Sequence, residues 1–159
     1  MSLYSITIKT SEGQSRSLEL YKSKILLIVN IPMIARHLPE TQELEKLYNR
    51  YREQGFVVLG FPCDQFSDEG AEPIQPATPE GSKAQFVFPV FYKLFVNGPQ
   101  MHPLYKHLKQ NSKGPIAAEA ISEVFTKFLI GKDGYLVRRF RADASIHIIA
   151  SEIERLLKH

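Results

Sequence analysis

Ile25-Leu-Leu-Ile-Val-Asn30 and Phe56-Val-Val-Leu-Gly60, with the chain between them, decide the fold. Both are continuous β-prone runs, the pattern of strands buried on two faces rather than one. Between them the period changes. Leu44, Leu47, Tyr48 and Tyr51 fall at i, i+3, i+4 and i+7, the stripe of an amphipathic helix. Gly55 stands where a glycine ends such a helix in the left-handed region. Strand, helix and strand in this order predict a crossover joining two parallel, adjacent strands. Pro32 and Pro39 bracket an irregular segment before the helix.

Upstream, Tyr4-Ser-Ile-Thr-Ile-Lys9 alternates as a half-buried strand does. Ser11-Glu-Gly13 supplies a turn, and Ser17–Leu20 is expected to return as a short strand. Downstream, residues 67–84 are rich in Pro, Gly, Ser, Asp and Glu and read as a long loop, a kind that is commonly functional or mobile. Apolar character resumes at Phe86-Val-Phe-Pro-Val-Phe91. Leu104, Tyr105 and Leu108 indicate a short helix after His102-Pro103. Phe125–Ile130 and Tyr135–Phe140 flank Gly131-Lys-Asp-Gly134, the signature of a hairpin. Ile146, Ile149, Ile153, Leu156 and Leu157 make a last helical stripe. Summed, these elements predict one α/β domain over residues 1–159, thioredoxin-like, with a central mixed sheet between helices in three α/β/α layers.

Composition narrows the function. A chain of 159 residues with 43% hydrophobic residues, ten Phe and seven Tyr can bury one core without staples. Its net charge of +3, from 20 basic and 17 acidic residues, is too small to indicate a nucleic-acid partner without clustering. Cys63 is the one cysteine, so no internal disulfide forms and a stapled secreted scaffold is excluded. Residues 1–24 carry no apolar leader core, and the longest apolar run, Ile25–Val29, is far too short to span a membrane. The expectation is a cytoplasmic protein.

Several stretches resemble the glutathione peroxidase family. They are Lys24–Asn30, Glu43-Leu-Glu-Lys-Leu-Tyr48, Gly55-Phe-Val-Val-Leu-Gly-Phe-Pro-Cys-Asp-Gln-Phe66, Phe88-Pro-Val-Phe91, Val96-Asn-Gly-Pro99, His102-Pro-Leu-Tyr105 and Phe125-Thr-Lys-Phe-Leu-Ile130. They run in the family's order and reach across nearly the whole chain. The resemblance implies a thioredoxin fold and reduction of hydroperoxides by thiols, in the response to oxidative stress.

The departures fall on the chemistry. The family follows its first central strand with an Asn-Val-Ala-Ser-x-Cys-Gly-like segment, whose Cys or Sec attacks the peroxide. Here the segment is Asn30-Ile-Pro-Met-Ile-Ala-Arg-His37, and ungapped counting puts Ala35 at the reactive position. The family's Trp-Asn before Phe-Thr-Lys-Phe becomes Glu123-Val124, while its Gln is kept as Gln65. The resolving cysteine of many members would fall near Glu80, and none is there. Peroxide reduction needs a nucleophilic thiolate or selenolate held by nearby donors. Ala35 offers no nucleophile, and Glu123 adds negative charge where donors belong.

Each remaining candidate has a plainer reading beside its functional one. Cys63 is either a substitute nucleophile or a small core residue ending the second central strand; the latter is preferred. Gln65 either binds a polar ligand or keeps a structural hydrogen bond in a vestigial pocket. His37, His102, His107, His147 and His159 show no metal spacing, so neither metal nor other cofactor is expected. Arg138, Arg139 and Arg141 either hold an anion such as a glutathione carboxylate or form a solvated sheet face. Glu123 is expected to meet Arg36 or His37 as an ion pair.

Three readings of function follow. The first is a family member without peroxidase activity, a pseudoenzyme kept for binding or regulation. The second is an active peroxidase working through Cys63 or a realigned site, with glutathione or thioredoxin as reductant. The third is an altered or designed chain that retains only the fold. The short run between Lys109 and Phe125 lacks the insertion that tetrameric relatives use for assembly, so a monomer is expected.

Overall fold

The computed structural model describes residues 3–32, 38–63, 87–111, 121 and 123–158. The two apolar runs form its centre. Strands β3 (Ile25–Ile31) and β4 (Phe56–Pro62) are buried along their whole length. They pair in parallel, from Ile25 opposite Phe56 to Ile31 opposite Pro62. Each strand extends past the run that signalled it, β4 by Phe61 and Pro62. Helix α1 (Pro39–Tyr51) joins them, with Pro39 at its start, where the missing N–H costs nothing. Leu44, Leu47 and Tyr51 face the sheet. A single 3-10 turn, Arg52–Gln54, carries the helix to Gly55, which sits at φ 97°, where a side chain would be strained.

Strand β3 also pairs antiparallel with β5 (Lys127–Ile130), and β5 with β6 (Leu136–Phe140), giving the order β4-β3-β5-β6. Gly134, at φ 84°, turns the β5–β6 hairpin. An added Cβ there would lie 2.7 Å from the Tyr4 ring, so the turn is also packed under the N-terminal segment. Three details depart from the sequence reading. Leu3–Ser5 is a 3-10 turn, so the strand expected over Tyr4–Lys9 begins only at Thr7. Strand β5 starts at Lys127 rather than Phe125, because Phe125 takes a left-handed conformation at φ 66°. A small hairpin of β1 (Thr7–Lys9) and β2 (Ser15–Ser17) ends at Ser17, and Leu18–Tyr21 is a 3-10 turn instead of a returning strand. The Ser17 hydroxyl accepts from the Glu19 N–H and donates to the Tyr4 carbonyl, so it caps a turn and removes the strand alternative.

Side chains alternate across the sheet into two cores. One holds Leu26, Ile28, Leu59, Phe61 and Phe128 against Leu104, Tyr105 and Leu108 of helix α2 (Pro103–Gln110). There Phe61 stacks on Phe91 at 5.1 Å, and Tyr105 meets Phe61 and Phe128 edge-on. The other holds Ile25, Leu27, Val29, Val58 and Leu129 against α1 and against Ile149 and Ile153 of helix α3 (Ile146–Leu157). The result is the expected three layers, α2 on one face and α1 with α3 on the other. Among the described residues no helix is long and apolar enough to cross a membrane.

Candidate active site

Asn30 is the one polar side chain of β3 and is fully buried. A buried amide must find partners or lose its hydration uncompensated. It finds them all on one loop. Its Oδ1 accepts from the Thr126 N–H at 3.0 Å, and its Nδ2 donates to the Glu123 carbonyl at 3.1 Å. Its backbone carbonyl accepts from the Phe125 N–H at 2.6 Å. The end of β3 therefore grips residues 123–126. Phe125 tolerates its left-handed backbone because that grip and its own burial over-determine it.

Two charged side chains close the same knot. The Glu123 Oε2 accepts from the Ala142 N–H at 2.8 Å. Lys127, nearly fully buried, donates from Nζ to the Phe125 carbonyl at 2.9 Å and the Ala142 carbonyl at 3.4 Å. Burial pushes the Lys127 ammonium below its ordinary pKa, and the carboxylates of Glu43, Glu123, Glu40 and Asp143 oppose that shift. Glu123 and Lys127 thus tie the loop after β6 to the loop before β5. Val124 is half-buried against the core under α1 and α3.

Chemically, the loop offers a carboxylate and an isopropyl group. Neither donates a hydrogen bond to a chalcogenolate, and the carboxylate repels one. Its Oε2 is already occupied by a backbone N–H, so this side chain holds the loop together. The expected pairing partners Arg36 and His37 lie outside the described residues, as do Ala35, Gln65, Glu80 and the 67–84 loop.

Cys63 follows β4, is 2% exposed, and donates its N–H to the Ile31 carbonyl at 2.8 Å. It is part of the core beneath α2, close to the buried Tyr105 phenol. Arg138 lies over the Phe140 ring at 4.8 Å and Arg139 over the Phe128 ring at 5.6 Å, on opposite faces of β6 as strand alternation requires. Each guanidinium is engaged with an aromatic face, and the two do not converge on one pocket. His102 is the N-cap of α2: its Nδ1 accepts from the Leu104 N–H at 3.0 Å. No group of three or more His, Cys, Asp or Glu is placed to hold a metal among the described residues.

Sequence reasoning did not single out Asn30, Lys127 or Ala142. Asn30 had a signal: it is the polar end of an otherwise apolar buried run, which demands a partner for its amide. The role of Ala142 had none, since only its backbone is used.

Comparison with known proteins agrees on the whole chain. The family model for glutathione peroxidase matches residues 3–109. A glutathione peroxidase homolog BsaA from Staphylococcus epidermidis is 38% identical over 158 residues, spanning 98% of this chain and 99% of its own. A probable phospholipid hydroperoxide glutathione peroxidase from Citrus sinensis is 39% identical, over 99% and 95% of the two chains. Among solved structures, Trgpx in apo form superposes with a TM-score of 0.83 at 30% identity, over 100% of this chain and 97% of that one. A thioredoxin-family thiol:disulfide interchange protein from Chlorobium tepidum shares the fold with a TM-score of 0.63 at 13% identity, over 99% and 97% of the two chains.

Proposed function

The chain belongs to the glutathione peroxidase family, and from that membership we propose that it is a silent member, which has lost thiol-dependent hydroperoxide reduction and serves in binding or regulation. The observation that carries this reading is the Glu123 carboxylate, committed to the Ala142 N–H at the position where the family resemblance implies an indole. In the family reaction a thiolate or selenolate attacks one peroxide oxygen, the O–O bond breaks, and the alkoxide or hydroxide leaves with a proton. Ala35, which the resemblance aligns with the attacking residue, has no lone pair to start that step. Gln65 alone would remain of the catalytic set, as a structural or ligand-binding amide.

The second reading, an active peroxidase using glutathione or thioredoxin, draws its support from the names of the relatives and from the presence of one thiol, Cys63. Its burial argues against it, since attack requires a thiolate that peroxide can reach. The experiment is exposure of the native protein to hydrogen peroxide followed by intact and peptide mass spectrometry. Cys63 is expected to stay a thiol in the native protein and to react once urea opens the core. Rapid sulfenic acid formation at Cys63 in the native state would favour the second reading. A monomeric, cytoplasmic protein completes the proposal, the monomer resting on the short run between Lys109 and Phe125.

A further inference from the structure

Among the described residues Lys127 is the one buried cation, 4% exposed. It opens β5 two residues before Leu129, so strand alternation sends its side chain to the same face, toward α1 and α3. A buried ammonium must be hydrogen-bonded or lose its hydration uncompensated. Lys127 bonds carbonyls from two loops: that of Phe125 at 2.9 Å, two residues back along its own chain, and that of Ala142 at 3.4 Å.

The bond to Phe125 is selective for one backbone conformation. In a strand the carbonyls point along the sheet toward neighbouring strands, while side chains stand roughly perpendicular to it. Were Phe125 extended, its carbonyl would lie in the sheet, and a side chain rising from the sheet two residues later would not meet it. Left-handed at φ 66°, Phe125 instead presents its carbonyl to the Lys127 Nζ. Extended is the local preference: Phe is a strand former, and a left-handed backbone is costly for a residue with a Cβ. The apolar run Phe125–Ile130 accordingly reads as strand from its first residue. Two conformations therefore compete at Phe125, and the tie to Lys127 exists in only one of them.

We infer that Lys127 is a positioning residue: its ammonium latches Phe125 in the left-handed conformation and thereby sets where residues 123 and 124 stand. With Phe125 turned, β5 begins only at Lys127. The chain before it leaves the strand, placing the Glu123 carboxylate on the Ala142 N–H at 2.8 Å and Val124 against the core under α1 and α3. Asn30 holds the same segment at the Glu123 carbonyl and the Thr126 N–H, and Lys127 holds the Phe125 carbonyl between them. Positions 123 and 124 are those to which the family resemblance gives a pair of donors, so the latch acts on that pair whichever side chains occupy it. The inference concerns the backbone of the loop, and it stands or falls separately from the loss of peroxidase chemistry.

The test is Lys127→Met, which keeps an unbranched apolar side chain and removes the ammonium, read by NMR of the folded protein. A positive φ brings a residue's amide and Hα protons together, so Phe125 should show a strong NOE between them in the unmodified protein. In Lys127→Met that NOE should fall to the level of the extended residues Phe128 to Ile130, and the amide resonances of Glu123, Val124 and Ala142 should move. Leu129→Ala removes core packing on the same face of β5 without touching the ammonium, and it should leave the Phe125 NOE strong. That contrast separates a latch from general loosening of the core. A strong Phe125 NOE in folded Lys127→Met would overturn the inference. Should that variant not fold, the unmodified protein decides. Its Lys127 ammonium should exchange slowly with water and show a coupling through the hydrogen bond to the Phe125 carbonyl carbon, and a rapidly exchanging ammonium without that coupling would overturn the inference.

Discussion

Glu123 carries two consequences of a single substitution. Where the family resemblance implies an indole donor, it presents a charge of the wrong sign for an anionic nucleophile, and it has acquired a structural duty toward Ala142. Restoring chemistry and keeping stability therefore conflict at this residue. Ala35→Cys alone should give no family-level peroxide turnover, because a thiol there would lack the indole and amide donors that the family resemblance implies. Adding Glu123→Trp and Val124→Asn should raise activity by more than the separate effects multiplied together, since these groups act on one anion. The same Glu123→Trp change should lower unfolding stability by about 1–2 kcal/mol in urea titration, because the Ala142 N–H loses a charged acceptor. Comparable activity in Ala35→Cys and in the triple variant would show that the assignment of these positions is wrong. At this scale the sequence supplied the motifs from which the resemblance assigns Ala35, Glu123 and Val124. It did not carry the geometry of the knot, because the Ala142 contact is to backbone and the left-handed Phe125 breaks the strand pattern that its apolar neighbours suggest.

At the scale of elements, periodicity was a sound guide wherever one face of a segment met the core. The crossover from β3 through α1 to β4, the β5–β6 hairpin and the stripe of α3 all follow from it. It failed at Ser17–Leu20, where a side chain caps a 3-10 turn and local hydrogen bonding outweighs strand propensity. Helix α2 shows a cap that the residue type did not advertise. His102 fills the role usually taken by Ser, Thr, Asp or Asn, with the following Pro103 at the first helical position. Burial lowers the His102 pKa from 6.5. The folded state therefore binds fewer protons than the unfolded one as pH falls below 6.5, and the stability held above that value is lost through the folded pKa. Protonation of Nδ1 also abolishes the acceptor for the Leu104 N–H. Unfolding free energy measured from about pH 7.5 to 5 should fall less steeply in His102→Asn, which keeps a cap without a titrating ring. An identical pH slope in both proteins would remove His102 as the source.

For the whole molecule, the two cores on either side of the β4-β3-β5-β6 sheet carry the architecture. Each core is filled mainly by side chains from the sheet and the helices, and a fold of this kind does not depend on catalysis. The fold class was readable because the buried strands and amphipathic stripes are long and mutually consistent. Ala35 and Gln65 lie outside the described residues, and the partner that the structure gives Glu123 comes from a distant segment that no sequence pattern marks. Light scattering at micromolar concentration should return a monomer mass near 18.2 kDa, and a stable tetramer would contradict the assembly proposed from the short 109–125 run. The central claim is the loss of peroxidase chemistry, and steady-state turnover of hydrogen peroxide by the unmodified protein, with glutathione and separately with thioredoxin, tests it most directly. The account predicts rates indistinguishable from the thiol background with either reductant, whereas saturable, enzyme-dependent consumption of peroxide that is abolished by Cys63→Ser would contradict it.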